Sequence, residues 1–210
     1  PHGISLTAEG ELLLEHARTV VLALEDLQDS FAELQGRPRG TIRLAAFRGV
    51  AAYMLPDIVA RFHARHPDVT LAVTSKNDDT EILRLTSAGE VDMGITSSWN
   101  EFEGFEYLEC DTYDLYACTA RDHPWRDRTS GPTLRQLPEQ PLLLYERGTA
   151  IRTRTDRIFA GHGIEPQVIV EAGGAHALLE YVKRGLGVGI VSGLVLDNVH
   201  EPLLQAIPVS

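Results

Sequence analysis

Long apolar runs are missing from this chain: nowhere in its 210 residues is there a stretch approaching the roughly 18 consecutive apolar residues that a membrane-crossing helix needs. The opening residues, "PHGISLTAEG", also lack the basic start and apolar block of an export signal. These two absences predict a cytoplasmic protein with no membrane partner. Cysteine is scarce. Cys110 and Cys118 are the two in the chain; they stand in a stretch that reads as consecutive strands, and in a cytoplasmic protein they are expected as reduced thiols. Positive charge is in deficit as well, since 19 Lys and Arg against 30 Asp and Glu leave a net charge of −11. A surface this acidic repels phosphate backbones, so these residues by themselves are not expected to bind nucleic acid.

Catalytic constellations are equally sparse. A nucleophile elbow needs Gly-x-Ser-x-Gly, and Ser192 sits instead in "GIVSG". His63 and His66 in "FHARHP" fall near one another on a helix, but no acidic or cysteine partner completes a metal site there. The neighbouring acids Asp78 and Asp79, or Glu101 and Glu103, read as loop solubility and helix N-terminal charge. "GLGVGIVSG" has the glycines of a dinucleotide loop in the wrong context. That fingerprint follows a strand and opens a helix, whereas here the glycines close a helix and lead into a strand, the pattern of a tight helix-to-strand turn. No catalytic residue, metal site or cofactor is therefore assigned, and the chain does not read as an enzyme.

What is present is an ordinary globular composition, 43% apolar and 23% charged, in a length sufficient for one domain or two small ones. It begins with a helix of unusual pattern. Leu13, Ala17, Val20, Leu24, Leu27, Phe31 and Leu34 alternate in steps of four and three, a heptad seam made to pair with another helix. Thr7 is placed to cap this helix, with Gly36 and Pro38 placed to stop it. Roughly 28 residues of helix would span about 42 Å, longer than a small domain needs. "GRPRG" (36–40) then reads as a linker.

Strands and helices alternate from there on. Strands are expected at 41–47, 69–75 and 91–96 with helices at 51–66 and 79–89 between them, then a pair of strands over 105–120. After a loop rich in Pro, Arg and Gly (121–133), the alternation restarts with strands at 141–146, 166–172 and 188–193 and helices at 151–163 and 176–185. This is the pattern of parallel sheets with crossover helices. The expected fold class is α/β, with two Rossmann-like units in series facing each other across a cleft.

Ligands of such sheets bind at the C-terminal ends of the strands. The loops there are "FRG" (47–49), "TSS" (96–98), "ERGTAIR" (146–152) and "AGGAH" (172–176). They supply helix N-termini, the hydroxyls of Thr96, Ser97, Ser98 and Thr149, and the guanidinium groups of Arg48, Arg147 and Arg152. That chemistry suits a small anion such as a carboxylate or sulfate. Gly49, Gly174 and His176 complete the expected effector-binding set.

Taken in order, these segments resemble the LysR-type transcriptional regulators. "ISLTAEGELLLEHA" is similar to the family's passage from DNA-binding wing to linker helix, and "YMLPDIVARFHARHPDVTLAV" to its Leu-Pro, Phe and His/Tyr-Pro-x-Val pattern. "LTSAGEVDMGI" and "VKRGLGVGIVS" resemble its turns into the third strand and into the later Gly-rich strand. Further matches run through "DHPW", residues 141–172 and "LLQAIPV", nearly the whole chain. The resemblance implies a long linker helix followed by two subdomains of the periplasmic-binding-protein type II-like fold. Residues 1–40 would be the end of the wing and the dimerisation helix. Subdomain I would be 41–120 plus 191–210 and subdomain II 121–190, hinged by "LYACTA" and "GIVSG". The second half looks most like the CysB-type branch, which responds to sulfur-containing metabolites or sulfate, although Phe47, Gly49 and Val50 stand where that branch carries hydroxyl and amide side chains.

The expected partners are a small-molecule effector, a second copy of the chain in a dimer or tetramer, and DNA only through a winged helix-turn-helix preceding Pro1. The family pattern also continues past Ser210, so the chain reads as a regulatory fragment. Two other classes share the architecture: a two-lobed solute-binding protein for a small anion, for which a heptad helix has no use, and a cleft enzyme, which no residue set recommends.

Overall fold

The computed structural model describes residues 6–34, 39–97, 102–125, 132–199 and 201–209. It opens with α1 (Ala8–Leu34). Thr7 caps it as expected: its Oγ1 accepts the Gly10 N–H at 3.1 Å and its carbonyl accepts the Glu11 N–H at 2.9 Å. The expected stop at Gly36 and breaker at Pro38 lie outside the described residues. Leu13, Ala17, Val20, Leu24 and Leu27 are exposed along the helix, Leu13 at 70%. Leu12, Leu14 and Val21 beside the seam are exposed too. Phe31 and Leu34 lie in α1, with side chains outside the described set.

A three-stranded parallel sheet follows. β1 (Gly40–Phe47) lies between β2 (Val69–Lys76) and β3 (Met93–Ile95). Successive side chains of a strand point to opposite faces, and both faces of β1 are covered. Ala45 and Phe47 pack with Ile82 and Leu85 of α3 (Asp79–Ser87). Leu44 and Ala46 pack with Leu55 and Val59 of α2 (Leu55–Arg65). The helix expected over 51–66 is divided. Pro56 has no N–H with which to continue an α-helical ladder, and the preceding turn, Val50–Met54, is π-helical, with the Leu55 N–H reaching back to the Val50 carbonyl.

The second sheet has five strands in the order β6-β5-β7-β4-β8. β5 (Leu142–Tyr145) is buried throughout and runs parallel to β6 (Val168–Ala172) and β7 (Val188–Ser192). β4 (Leu115–Ala120) is antiparallel to both β7 and β8 (Leu204–Pro208). Leu143 and Tyr145 face α5 (Ala175–Lys183) through Leu178, Leu179 and Val182. Leu142 and Leu144 face Phe159 of α4 (Ala150–Gly161), together with Trp125 and Leu137. A short helix, α6 (Gly193–Asn198), leaves β7 and packs on the π-helical turn.

One expected element is corrected. Of the strand pair over 105–120, only β4 forms; residues 105–114 are irregular, and Leu108 stands 84% exposed. The cysteines accordingly occupy unlike places, Cys110 exposed on the irregular segment and Cys118 buried in β4, both as free thiols. Burial pushes the Cys118 thiol up to about 12, so it stays protonated at neutral pH. The glycines of "GLGVGIVSG" make the turn expected of them. Gly185, at φ +71°, closes α5 with its N–H on the Val182 carbonyl at 2.8 Å. Gly189 lets that helix press onto β7, since a Cβ there would fall 2.6 Å from Leu178 Cδ2.

Candidate functional site

Past the C-terminal ends of β2 and β3, a cavity of about 510 Å³ opens against α4 and the turn that leads into it. Small-molecule sites typically run from about 300 to 1,000 Å³. One wall begins where β2 gives way to α3. Asp78 caps that helix, its Oδ1 accepting the Glu81 N–H at 2.9 Å, and Asp79 and Thr80 follow along the cavity. Ser97, just past β3, and Phe102 extend this wall. The Phe102 N–H is held by the Tyr107 hydroxyl oxygen at 3.0 Å.

The opposite wall is α4. Ala150, Thr153, Arg154, Arg157 and Ile158 line the cavity, a spacing of i, i+3, i+4, i+7 and i+8 that places all five on one helical face. Gly148, at φ +85°, turns the chain into this helix. Thr149 fixes the turn: its hydroxyl donates to the Glu146 carbonyl at 2.9 Å and accepts the Arg152 N–H at 3.4 Å.

The electrostatics of the two walls differ in sign, with Asp78 and Asp79 on one and Arg154 and Arg157 on the other. Burial holds the Asp79 carboxyl above the usual carboxylate range, and the Asp78 charge adds to the effect, while the Ser97 N–H and Arg157 oppose it. Asp79 Oδ1 is fully buried and has no hydrogen-bond partner. Two arginines tie the halves together at the rim of the crevice. Arg154 Nη1 donates to the Tyr113 carbonyl at 3.1 Å, and Arg48 Nη1 donates to the Gly173 carbonyl at 3.0 Å.

The residues singled out in the sequence are distributed unevenly about this space. Ser97 lines the cavity, and Thr149 lies between two residues, Gly148 and Ala150, that do. Thr96 is half-buried at the end of β3. Ser98 lies outside the described residues. Arg48, Gly49 and Gly174 stand together at the Arg48–Gly173 tie, beside the start of α5, where His176 is exposed. Arg147 is 79% exposed, with Nε 3.5 Å from Glu171.

Arg152 differs from the expectation. Its side chain is 3% exposed, and its guanidinium donates to Asp156 at 2.8 Å, the Tyr145 carbonyl at 2.8 Å and Glu171 at 2.9 Å. Those donors are spent inside the fold. Sequence reasoning assigned Asp79 only a solubility and helix-terminus role, and it did not single out Phe102, Thr153, Arg154, Arg157 and Ile158. The signal for four of them was available, because the same period that defines α4 puts 153, 154, 157 and 158 on the face that Ala150 shares.

The profile of the LysR substrate binding domain matches residues 35–210. The HTH-type transcriptional regulator CysB of Burkholderia cenocepacia is 28% identical over 206 residues, covering 98% of this chain and 65% of that protein. The chain thus spans slightly less than two thirds of that curated relative. Among solved structures, full-length CbnR complexed with its target DNA superposes with a TM-score of 0.75 at 24% identity, over 100% of this chain and 72% of that one. The BenM effector binding domain with its effector benzoate gives a TM-score of 0.71 at 21% identity, over 80% of this chain and 77% of that one.

Proposed function

This chain belongs to the LysR substrate binding domain family, and from that membership we propose that it is the effector-sensing and dimerising part of a LysR-type transcriptional regulator, taking a small anionic metabolite between its two α/β units. The observation that carries the reading is the cavity itself, because its lining comes from both halves of the molecule. A ligand there touches α3 and the end of β3 on one side and α4 on the other. Such a ligand changes the relative energies of open and closed arrangements, and only that difference can drive a switch.

The anionic class is supported by Arg154, Arg157 and the N-terminal turn of α4. BenM's domain, of the same fold, holds benzoate; the choice of a carboxylate here rests on this chain's own guanidinium groups. The moving units are proposed as the three-stranded sheet with α2 and α3, and the five-stranded sheet with α4 and α5; β4 and β8, which the expected bounds of 41–120 plus 191–210 and 121–190 put with the first unit, are paired and packed in the second. β4 and β7, paired antiparallel from Leu115–Ser192 to Cys118–Gly189, would be the hinge. The exposed seam of α1 is proposed to pair two copies. DNA contact would come through an N-terminal winged helix-turn-helix outside these residues, since a net charge of −11 opposes phosphate backbones.

A thermal-shift screen of small carboxylates and sulfate tests the anionic reading. Ligand at about 100 times its Kd is expected to add roughly 2.7 kcal/mol, and Arg157→Gln should weaken that ligand at least ten-fold. A panel in which no anion raises the melting temperature, or in which Arg157→Gln leaves binding unchanged, contradicts it.

A further inference from the structure

We propose that the crevice selects a small zwitterion, a carboxylate that also carries an ammonium group, with the ammonium against Asp79 and the carboxylate against Arg157. This rests on the effector-binding reading above, keeps its carboxylate, and replaces the simple anion with a ligand that also carries a positive charge. The charges lining the described cavity cancel, two carboxylates on the α3 wall facing two guanidinium groups on the α4 wall. An anion without a cationic group satisfies α4 and presses its charge against Asp79. An amine without a carboxylate has the converse fault. A molecule bearing both groups meets each wall with the opposite sign, the arrangement that gives electrostatic specificity.

Asp79 supplies a second reason. Its Oδ1 is shut off from solvent without a hydrogen-bond partner, so its charge is poorly compensated in the fold, and a cation meeting the carboxylate from the cavity side offsets that cost. The adjacent Asp78 caps α3 and is exposed to water, so it gains less from an ammonium than half-buried Asp79 does. Arg157 acts on Asp79 through space, and among the described residues no direct ion pair joins the two. On the other wall, Arg154 is partly committed to the Tyr113 carbonyl, which leaves Arg157 as the principal carboxylate anchor. Phe102 and Ile158 add apolar surface to the lining, so the ligand's side chain can be uncharged.

The test compares matched probes on the 210-residue chain. Each common L-amino acid is screened by thermal shift beside its deaminated acid and its decarboxylated amine, and the best trio is titrated calorimetrically. The expected result is that one amino acid binds at least ten-fold more tightly than either analogue. Asp79→Asn should erase its advantage over the deaminated acid while leaving that acid's own affinity undiminished. Asn is isosteric, and the ligand-free melting curve of the variant reports its folding. The proposal is overturned if no amino acid binds, if the deaminated acids bind as well as the amino acids, or if the advantage survives in Asp79→Asn. Acids that bind without needing an ammonium, and that weaken in Arg157→Gln, would overturn the zwitterion and leave the anionic effector standing. Failure of every probe together with every small anion would overturn both.

Discussion

Arg152 shows what a single residue can hide. In the sequence it stands three places after a helix cap at the end of a strand, where anion ligands are expected; in the fold its guanidinium joins α4 to β5 and β6 through the Tyr145 carbonyl and Glu171. Glu171 is 19 residues away, and nothing local in the sequence announces the pairing. Arg152→Met is therefore expected to destabilise the fold by about 1–3 kcal/mol in urea unfolding, because the buried Tyr145 carbonyl loses its charged donor, while Asp156 and Glu171 regain water. Ligand affinity should change little. Asp79 makes the opposite case, a charge that the folded state disfavours. Its folded pKa is raised, so the wild type binds a proton more readily folded than unfolded and loses stability as pH rises through the unfolded value toward the folded one. Asp79→Asn should consequently be the more stable protein at neutral pH. The advantage should vanish below about pH 3.9, the ordinary aspartate value, and melting curves across pH 3–8 check it.

Elements were legible where burial imposes a period. The six segments expected as strands outside 105–120 became β1, β2, β3, β5, β6 and β7, and the 3.6-residue stripes became α2 to α5, because each has a neighbouring face to cover. Residues 105–114 alternate in the same way, yet among the described residues no strand pairs with them, and alternation without a partner does not make a sheet. The π-helical turn and α6 left no periodic trace, since both are too short for one. α1 was legible as a helix, and its apolar seam remains exposed along Leu13, Val20, Leu24 and Leu27. Pairing of that seam with a second copy predicts a concentration-dependent dimer by sedimentation equilibrium. Leu24→Asp should shift it toward monomer while leaving the α/β core's melting transition in place.

At the scale of the whole molecule, two sheets meet along a crevice tied by Arg48 to Gly173 and by Arg154 to Tyr113. Two of the four loops expected at this crevice, 96–98 and 146–152, contribute lining residues; which side chains line the cavity depends on the angle between the units, which no local pattern records. Ser97 lies in the cavity and Arg147 points to solvent for that reason. The net charge of −11 and the mixed signs of the lining belong to the same scale, setting a surface that repels nucleic acid against an interior that can hold a small polar molecule. Thr153 is exposed on the cavity face of α4, so Thr153→Trp can fill the space without entering either core. The decisive measurement is the stabilisation produced by the best ligand of the panel, compared in wild type and Thr153→Trp. A ligand seated between the units should add roughly 2.7 kcal/mol to the wild type at 100 times its Kd and almost nothing to the variant, whose ligand-free melting temperature is unchanged. Equal stabilisation of both proteins would contradict a binding site in the crevice.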